Sequence, residues 1–261
     1  MPRLSAIVIA ALAIAIVFIT IAFLENQTTL NNRIELLEER LATAKGPQAS
    51  EIFPSDQKVI WYGQNFQSNR NFDTLEHLSS KGVWIDYREL PVNNLLDARV
   101  VVLSSVFFLH QFSNDEIAQL HGFVNSGGVL IIAVDTDFAF CEPPSTCGID
   151  PVSRSFGFAF GSDVSDIVVP SASSRNHAIW KNPNTVASTD SLNDAYVAEI
   201  LDADNVVVLG QLQRLGKPAI VLNNDPDFNS GKVIGLGLNT FLGHDGDYAM
   251  LENIVRYSLT E

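Results

Sequence analysis

Several apolar runs of this sequence are followed by polar side chains that could do chemistry. They comprise an amide, two hydroxyls, two carboxylates and an imidazole, namely Asn65, Ser104, Ser105, Asp135, Asp137 and His244. If the runs form a parallel sheet, their carboxyl ends share one edge, which is where open α/β folds bind ligands. Carboxylates beside a histidine and a serine can bind a cation or catalyse a hydrolysis. The same residue types also form turns and helix caps in strand-to-helix loops, and we favour that interpretation.

The sequence contains two cysteines, Cys141 and Cys147, in the turn-rich stretch Cys-Glu-Pro-Pro-Ser-Thr-Cys. Their spacing favours a small loop closed by a disulfide outside the cell, with two unpaired thiols in a surface loop as the alternative. A metal site would need more ligands than this stretch offers. It has neither a Cys-x-x-Cys pair nor a nearby pair of histidines.

One further segment alternates like the opening of a calcium-binding loop, with Asp225, Asp227 and Asn229. However, glycine stands at the seventh position, where an EF-hand requires it at the sixth, and the twelfth position is Leu236 instead of glutamate. The segment is therefore predicted to be a hairpin loop. We predict no metal and no cofactor for this chain.

Short apolar runs alternate with amphipathic helices from Lys58 onward, which is the pattern of an α/β domain. The predicted strands are residues 58–62, 83–87, 99–103, 129–134, 205–209, 218–222 and 232–236. One helix is predicted after a polar loop at 63–71, and another spans 247–259. The fold class predicted from this order is flavodoxin-like, a mostly parallel sheet with helices on both faces.

The connection between the third and fourth predicted strands carries the clearest helix signals. Ser113 and Glu116 form a capping box, and Gly127-Gly128 ends the helix just before the next strand. A strand, a helix and a strand in this order predict a right-handed parallel crossover.

Three histidines are assigned structural roles. His110 and His121 flank the capped helix and are predicted to be surface or boundary residues that are unrelated to each other. His177 is predicted to order its own turn.

Residues 4–24 form an uncharged apolar run that, as a helix, spans the roughly 30 Å hydrocarbon core of a bilayer. Arg3 precedes the run and Glu25 follows it, so the positive-inside tendency places the N-terminus in the cytoplasm and the later domain outside. A cleavable signal peptide is the competing interpretation. Its apolar core would be shorter and would end in small residues, so a single-pass, uncleaved signal anchor in the cell membrane is favoured.

A stalk and linker are predicted at residues 25–56, between the anchor at 1–24 and the α/β domain at 57–261. The stalk has apolar residues at heptad spacing, namely Leu30, Ile34, Leu37, Leu41 and Ala44. It forms either a short coiled coil that joins a homodimer or a solitary amphipathic helix. Within the domain, residues 135–166 are long and rich in proline and glycine, so they are predicted to be a functional loop or a small inserted subdomain.

Charge excludes one class of partner. Thirty acidic and 16 basic side chains give a net charge of −14, and the sequence has no cluster of lysine and arginine. Because such a surface repels phosphate groups, nucleic-acid binding is excluded.

Short motifs between residues 57 and 260 have a family likeness. They are Ser104-Ser105 after a strand, Asp115-Glu116-Ile117 at a helix start, Gly127-Gly128 at its end, the turn Asn176-His177-Ala178-Ile179, the glycine-bounded strand at 231–237, and Asn253 in the last helix. Together they resemble the class I glutamine amidotransferase-like fold, in the branch with trehalose-utilisation-like and gliding-motility transporter-accessory domains. The resemblance implies a fold and leaves the activity open.

The sequence departs from that family at its chemistry. The resemblance implies a nucleophilic cysteine on a Gly-x-Cys-x-Gly elbow after a core strand, together with a His-x-Glu pair near the C-terminus. Here the strand runs into Val134-Asp135-Thr136-Asp137, neither cysteine has the flanking glycines, and no His-x-Glu occurs. Because the thiolate is the group that attacks the amide carbon, glutamine hydrolysis by the family mechanism is not expected.

Three hypotheses follow for function. The favoured one is a non-catalytic module that binds a ligand or a protein outside the cell. The second is a hydrolase of altered mechanism that uses Asp135, Asp137 and His244. The third is an accessory subunit of a transporter or envelope complex, tied to membrane protein partners through its anchor.

Overall fold

The structure, a computed structural model, describes residues 58–62, 69–95, 98–104, 110–134, 148–188, 195–237 and 245–260. Ten strands are seen in this part of the chain: β1 Lys58–Tyr62, β2 Ile85–Arg88, β3 Ala98–Ser104, β4 Val129–Ala133, β5 Phe158–Val164, β6 Val168–Pro170, β7 Ala195–Ile200, β8 Val206–Leu212, β9 Pro218–Asn223 and β10 Lys232–Leu236. The helices are α1 Asn69–Ser80, α2 Asn114–Asn125, α3 Asp150–Ser155, α4 Ala178–Lys181 and α5 Asp245–Thr260, with a 3-10 turn at Pro226–Phe228.

Eight of the strands form one sheet in the order β2-β1-β3-β4-β10-β9-β8-β6. The first five are parallel, and β9, β8 and β6 extend the sheet in antiparallel fashion. Because β10 occupies the fifth position, the parallel part has the 2-1-3-4-5 order of flavodoxin-like folds. The prediction of a mostly parallel α/β sheet is therefore confirmed for the described residues.

The parallel strands give the sheet two distinct ends. The carboxyl edge is the end of the sheet at which β1, β3, β4 and β10 finish. The amino edge is the end at which these strands begin. The end of α2 and the β9–β10 hairpin lie at the amino edge, since they lead into β4 and β10.

Two apolar cores cover the faces of the sheet. Successive residues of β3 alternate between them, with Val100 and Val102 in one core and Val101 and Leu103 in the other. The first core packs α1, α4 and α5 against the sheet. The second packs α2, α3 and a separate two-stranded sheet formed by β5 and β7. Helices thus cover both faces, as the sequence predicts.

The crossover β3-α2-β4 forms as predicted. Ser113 caps α2 through its hydroxyl, which accepts from the Glu116 amide, and the Glu116 carboxylate accepts in return from the Ser113 amide. At the other end, Gly127 has a φ of 93°, a backbone conformation that residues with a side chain rarely adopt. β3 and β4 then pair in parallel.

Asn253 joins two of the motifs that carry the family resemblance. Its amide donates to the Ile179 carbonyl at 3.0 Å and to the Asn184 carbonyl at 2.8 Å. Its carbonyl accepts from the Asn184 amide at 3.0 Å. His177 begins α4 by accepting from the Ile179 amide, so the predicted role of His177 is confirmed. These hydrogen bonds hold the middle of α5 against α4 and the turn that follows it.

Some element boundaries differ from the prediction. The first helix begins at Asn69, inside the segment predicted as a polar loop at 63–71. The second strand begins at Ile85 instead of residue 83, because the amide of Val83 still donates to the Leu78 carbonyl in the turn that closes α1. The segment predicted as a long excursion at 135–166 contains α3 and β5 in its described part.

Several predicted features fall outside the described residues. They are the anchor at 4–24, the stalk at 25–56, and both cysteines, Cys141 and Cys147. Within the ranges that the structure does describe, none of the helices has the length and apolarity needed to cross a bilayer.

Candidate functional site

The carboxyl edge is where the sequence places the candidate site, and Ser104 is its one described member. Ser104 ends β3 opposite Ala133 of β4 and is fully buried. Its hydroxyl makes no hydrogen bond within the described part of the chain. Strand alternation puts it on the face shared by α1 and α5. The other candidates, Asn65, Ser105, Asp135, Asp137 and His244, lie outside the described residues.

A buried carboxylate, Glu116, organises the start of α2 at this edge. It accepts from the Ser113 amide at 2.9 Å and the Ser113 hydroxyl at 3.0 Å. It also accepts from the Val92 amide at 3.0 Å and lies 2.9 Å from His110 Nε2. Because an ionised carboxylate only accepts, His110 donates in this contact.

The donors around Glu116 decide its charge. Burial raises the pKa of the Glu116 carboxyl, but the hydrogen bonds from Ser113, Val92 and His110 outweigh burial and hold the pKa below its ordinary value. The ionised group therefore ties the β2–β3 connection, through Val92, to the residues before α2, through His110 and Ser113. This arrangement is structural, and it uses the histidine nearest to the end of β3.

The amino edge carries a cavity of about 470 Å³. Four segments converge on it: the last turns of α2, the end of α3, the β7–β8 connection and the β9–β10 hairpin. We call it the amino-edge cavity. Its polar lining residues are His121, Asn125, Arg154, Ser155, Asp202, Asn223, Asp225 and Asp227.

The floor of the amino-edge cavity is aromatic and fixed. The rings of Phe156 and Phe228 meet edge to face with centroids 6.1 Å apart. Asn223 is only 2% exposed, donates to the Phe156 carbonyl at 2.8 Å and accepts from the Asp225 amide at 2.9 Å. Since Asn223 uses both ends of its amide, it joins two of the lining segments instead of facing a ligand.

One wall carries an imidazole and a guanidinium. His121 stacks on Phe156 with ring centroids 4.1 Å apart, and its Nε2 lies 3.0 Å from the Ser155 hydroxyl. That hydroxyl donates its single proton to the Val152 carbonyl at 2.7 Å, so it accepts from His121. Burial lowers the pKa of the His121 imidazole. Arg154 is held by its Nε, which donates to Asp150 at 2.7 Å.

Another part of the lining carries three carboxylates. The amide nitrogen of Asn205 donates to Asp202 at 2.9 Å and to Asp225 at 3.3 Å, which holds these two side chains together. The hydrogen bond from Asn205 lowers the pKa of Asp202, so this carboxylate is charged at neutral pH. Asp225 also accepts from the Asp227 amide at 2.9 Å, and Asp227 is exposed.

The sequence predicts the hairpin at Asp225–Asn229 but not the cavity beside it. β9 and β10 pair in antiparallel register on either side of it, which confirms the hairpin. His121 and His110 are half-buried boundary residues in separate contacts, as predicted, although the sequence gives no sign of their partners. No group of three or more His, Cys, Asp or Glu residues that could hold a metal occurs within the described ranges.

Comparison with known proteins identifies similar folds. No family model and no curated protein matches the sequence. Among solved structures, the mmIFT52 N-terminal domain aligns with a TM-score of 0.61 at 10% identity, covering 78% of this chain and 98% of that chain. PurLQS from Thermotoga maritima aligns with a TM-score of 0.46 at 14% identity, covering 77% and 98%. A protein described as a GMP synthase component from Thermoplasma acidophilum aligns with a TM-score of 0.47 at 10% identity, covering 76% and 92%.

These similarities concern the fold alone. Class I glutamine amidotransferase proteins are among the similar structures. At such low identities, activity has to be argued from the residues of this chain.

Proposed function

We propose that this chain is a membrane-anchored, extracytoplasmic domain of glutamine amidotransferase-like fold that binds a ligand or a partner protein and does not hydrolyse glutamine. The 2-1-3-4-5 strand order and the motifs joined by Asn253 support the fold assignment. The domain then acts through the surfaces it presents outside the cell.

The observation that carries this proposal is the sequence after β4. A glutamine-hydrolysing member of the family needs a thiol on a tight, glycine-flanked turn at the end of a core strand, where it can attack the amide carbon. β4 is central in the sheet, between β3 and β10, and the chain continues from it as Val134-Asp135-Thr136-Asp137. A carboxylate cannot replace the thiol in forming a thioester.

The histidines support the same conclusion. Four of the five in the chain are described, and each has a structural contact. His77 stacks on Tyr248 with centroids 4.8 Å apart, His110 meets Glu116, His121 stacks on Phe156, and His177 caps α4. An imidazole committed to packing or capping is poorly placed to activate a nucleophile.

The location and partners form part of the proposal. Residues 4–24 anchor the chain in the cell membrane with the N-terminus in the cytoplasm, and the stalk at 25–56 brings two copies together. A neighbouring membrane or envelope protein is the partner class that such an anchor favours. The test is protease digestion of intact cells that express the full chain with a C-terminal epitope. Loss of the epitope supports this topology, and its protection until the membrane is broken contradicts it.

The catalytic part of the proposal is tested by glutamine turnover. The full chain, reconstituted in lipid nanodiscs, is assayed for ammonia release beside the double variant Cys141→Ser, Cys147→Ser. We expect equal background rates, because neither thiol stands on the required elbow. Turnover by the unaltered chain that the double variant lacks would overturn the proposal.

A further inference from the structure

We propose that the amino-edge cavity binds a small zwitterion, a molecule of the amino acid class with an ammonium group at one end and a carboxylate at the other. The inference rests on the proposed binding role and adds a site and a ligand class to it. The site lies at the opposite end of the sheet from the one that strand topology predicts.

Size and shape are consistent with a small ligand. A volume of about 470 Å³ falls within the range of roughly 300–1,000 Å³ that is typical of small-molecule sites. The lining places two aromatic rings among mostly polar side chains, so it is more polar than most small-molecule sites and suits a charged ligand. The segments that form it are tied together by Asn223 and by the Phe156–Phe228 contact.

The positive pole of the cavity is Arg154. Its Nε is engaged with Asp150, whereas its two terminal nitrogens make no hydrogen bond within the described part of the chain. The side chain is 44% exposed. A guanidinium held at one nitrogen still offers a planar set of donors, which fits a carboxylate in bidentate fashion.

The negative pole is the pair Asp202 and Asp225, with Asp227 beside it. A single nitrogen of Asn205 donates to both members of the pair, so their oxygens lie close enough for one ammonium group to reach both. Each carboxylate oxygen has a second lone pair, so both can accept further donors. An ammonium group carries three donors and matches this arrangement.

The two poles do not neutralise each other. Arg154 forms its ion pair with Asp150, and none joins it to Asp202, Asp225 or Asp227 within 4.0 Å among the described residues. Arg154 and the three carboxylates therefore line one cavity without pairing with each other. Because Asn205 fixes one pole and Asp150 the other, little side-chain freedom is lost when a ligand bridges them.

This separation of charge selects the ligand class. A simple anion would meet three carboxylates and only one guanidinium. A simple amine would leave the two terminal nitrogens of Arg154 without an acceptor among the described residues. Metal binding is not supported, because the described residues hold no suitable ligand set. A molecule that carries both charges satisfies both walls at once.

The test is isothermal titration of the full chain in lipid nanodiscs with two zwitterions, γ-aminobutyrate and ε-aminocaproate, and two matched monopoles, n-butylamine and butyrate. We expect saturable binding of at least one zwitterion. Each monopole should bind about tenfold more weakly, or weaker still, because a monopole lacks one of the two charge-assisted contacts. Absence of saturable binding by both zwitterions, or an equal affinity for a monopole, would overturn the inference. These comparisons use the unaltered chain and do not depend on any variant folding.

Two variants assign the binding to this cavity. Arg154→Gln and Asp202→Asn should each lower the affinity for the zwitterion by about tenfold. Arg154→Gln should leave the affinity for n-butylamine unchanged. The matched controls are Arg214→Gln and Asp204→Asn, exposed residues outside the lining, which should bind as the unaltered chain does. Unchanged binding by both cavity variants would place the ligand elsewhere and contradict the inference.

Glutamine turnover on the same preparation separates the two proposals. Turnover together with cavity binding would overturn the proposed function and leave this inference standing. If neither glutamine turnover nor cavity binding were found, the inference would be overturned and the proposed function would stand.

Discussion

The two ends of the central sheet use polar residues differently. At the carboxyl edge, Glu116 accepts from four donors, and the cluster it forms is internally satisfied. At the amino edge, Asp202 and Asp225 share one amide while Arg154 keeps two nitrogens without a hydrogen bond among the described residues. A satisfied cluster stabilises the fold, whereas an unsatisfied but fixed one is available to a ligand.

The proposed zwitterion site therefore lies away from the edge that topology favours. The carboxyl edge is where the fold class predicts ligands, and many related folds use it. In this chain a recess with charged walls lies at the opposite end, among the described residues. Two substitutions and one titration test how the two ends of the sheet are built.

The largest loss of stability is expected at Gly231, which follows the hairpin that lines the amino-edge cavity. A Cβ on Gly231, just before β10, would overlap the carbonyl oxygen of Val124 in α2, and backbone cannot move aside as a side chain can. We expect Gly231→Ala to lower the free energy of unfolding by about 3 kcal/mol or more. Urea denaturation followed by circular dichroism measures this change.

Gly122, which lies in α2 near Val124, is the control position. Gly122 has no atom within 4 Å of the position its Cβ would occupy. Gly122→Ala should therefore stabilise α2 by about 0.5–1 kcal/mol. Equal stability of the two variants would show that the hairpin and α2 are not packed as described.

An intermediate effect is expected at the carboxyl-edge cluster. Glu116→Gln replaces one oxygen of a buried carboxylate that accepts from Val92, Ser113 and His110, and should destabilise the fold by about 2 kcal/mol at pH 7. Because the pKa of Glu116 is lower in the folded state, its contribution is complete above the ordinary value of 4.5 and is lost as the pH falls through the folded pKa. The difference between the variant and the unaltered chain should therefore narrow below pH 4.5.

Denaturation at a series of pH values measures this difference. Glu199→Gln, an exposed change on β7, is the control and should stay within about 0.5 kcal/mol at every pH. A Glu116 effect that did not vary with pH would mean that the carboxylate charge contributes nothing.

The smallest effect concerns His121. Burial lowers its pKa from the ordinary value of 6.5, so the folded state favours the neutral ring. Stability contributed by this residue is present above pH 6.5 and is lost as the pH falls through the folded pKa. NMR titration should find the His121 ring protonating at lower pH in the native chain than in concentrated urea. The same midpoint in both states would show that the wall of the cavity is open to solvent.

Much of the fold could be predicted from the sequence because its main strands are continuous apolar runs. β3 and β4 carry Val100–Leu103 and Val129–Ile132, which are buried on both faces, and the capping box marks the helix between them. β5, β6 and β7 were not predicted. β5 contains Gly161, Ser162 and Asp163, and β6 has three residues, so neither shows a regular apolar pattern.

The amino-edge cavity could not be predicted for a different reason. Its polar residues come from four segments between His121 and Asp227, and no spacing along the chain brings them together. Asp202 and Asp225 look like ordinary turn residues, and that is also one of their roles. Only the tertiary structure shows that Asn205 joins them and that they share a cavity with Arg154.

The central claim is that this domain binds without covalent chemistry on a thiol. The most direct measurement is intact-mass spectrometry of the full chain after incubation with a diazoketone analogue of glutamine, beside an amidotransferase that has the glycine-flanked cysteine. We predict no added mass on Cys141 or Cys147 under conditions that label the amidotransferase completely. A stoichiometric adduct on either cysteine that excess glutamine prevents would contradict the account.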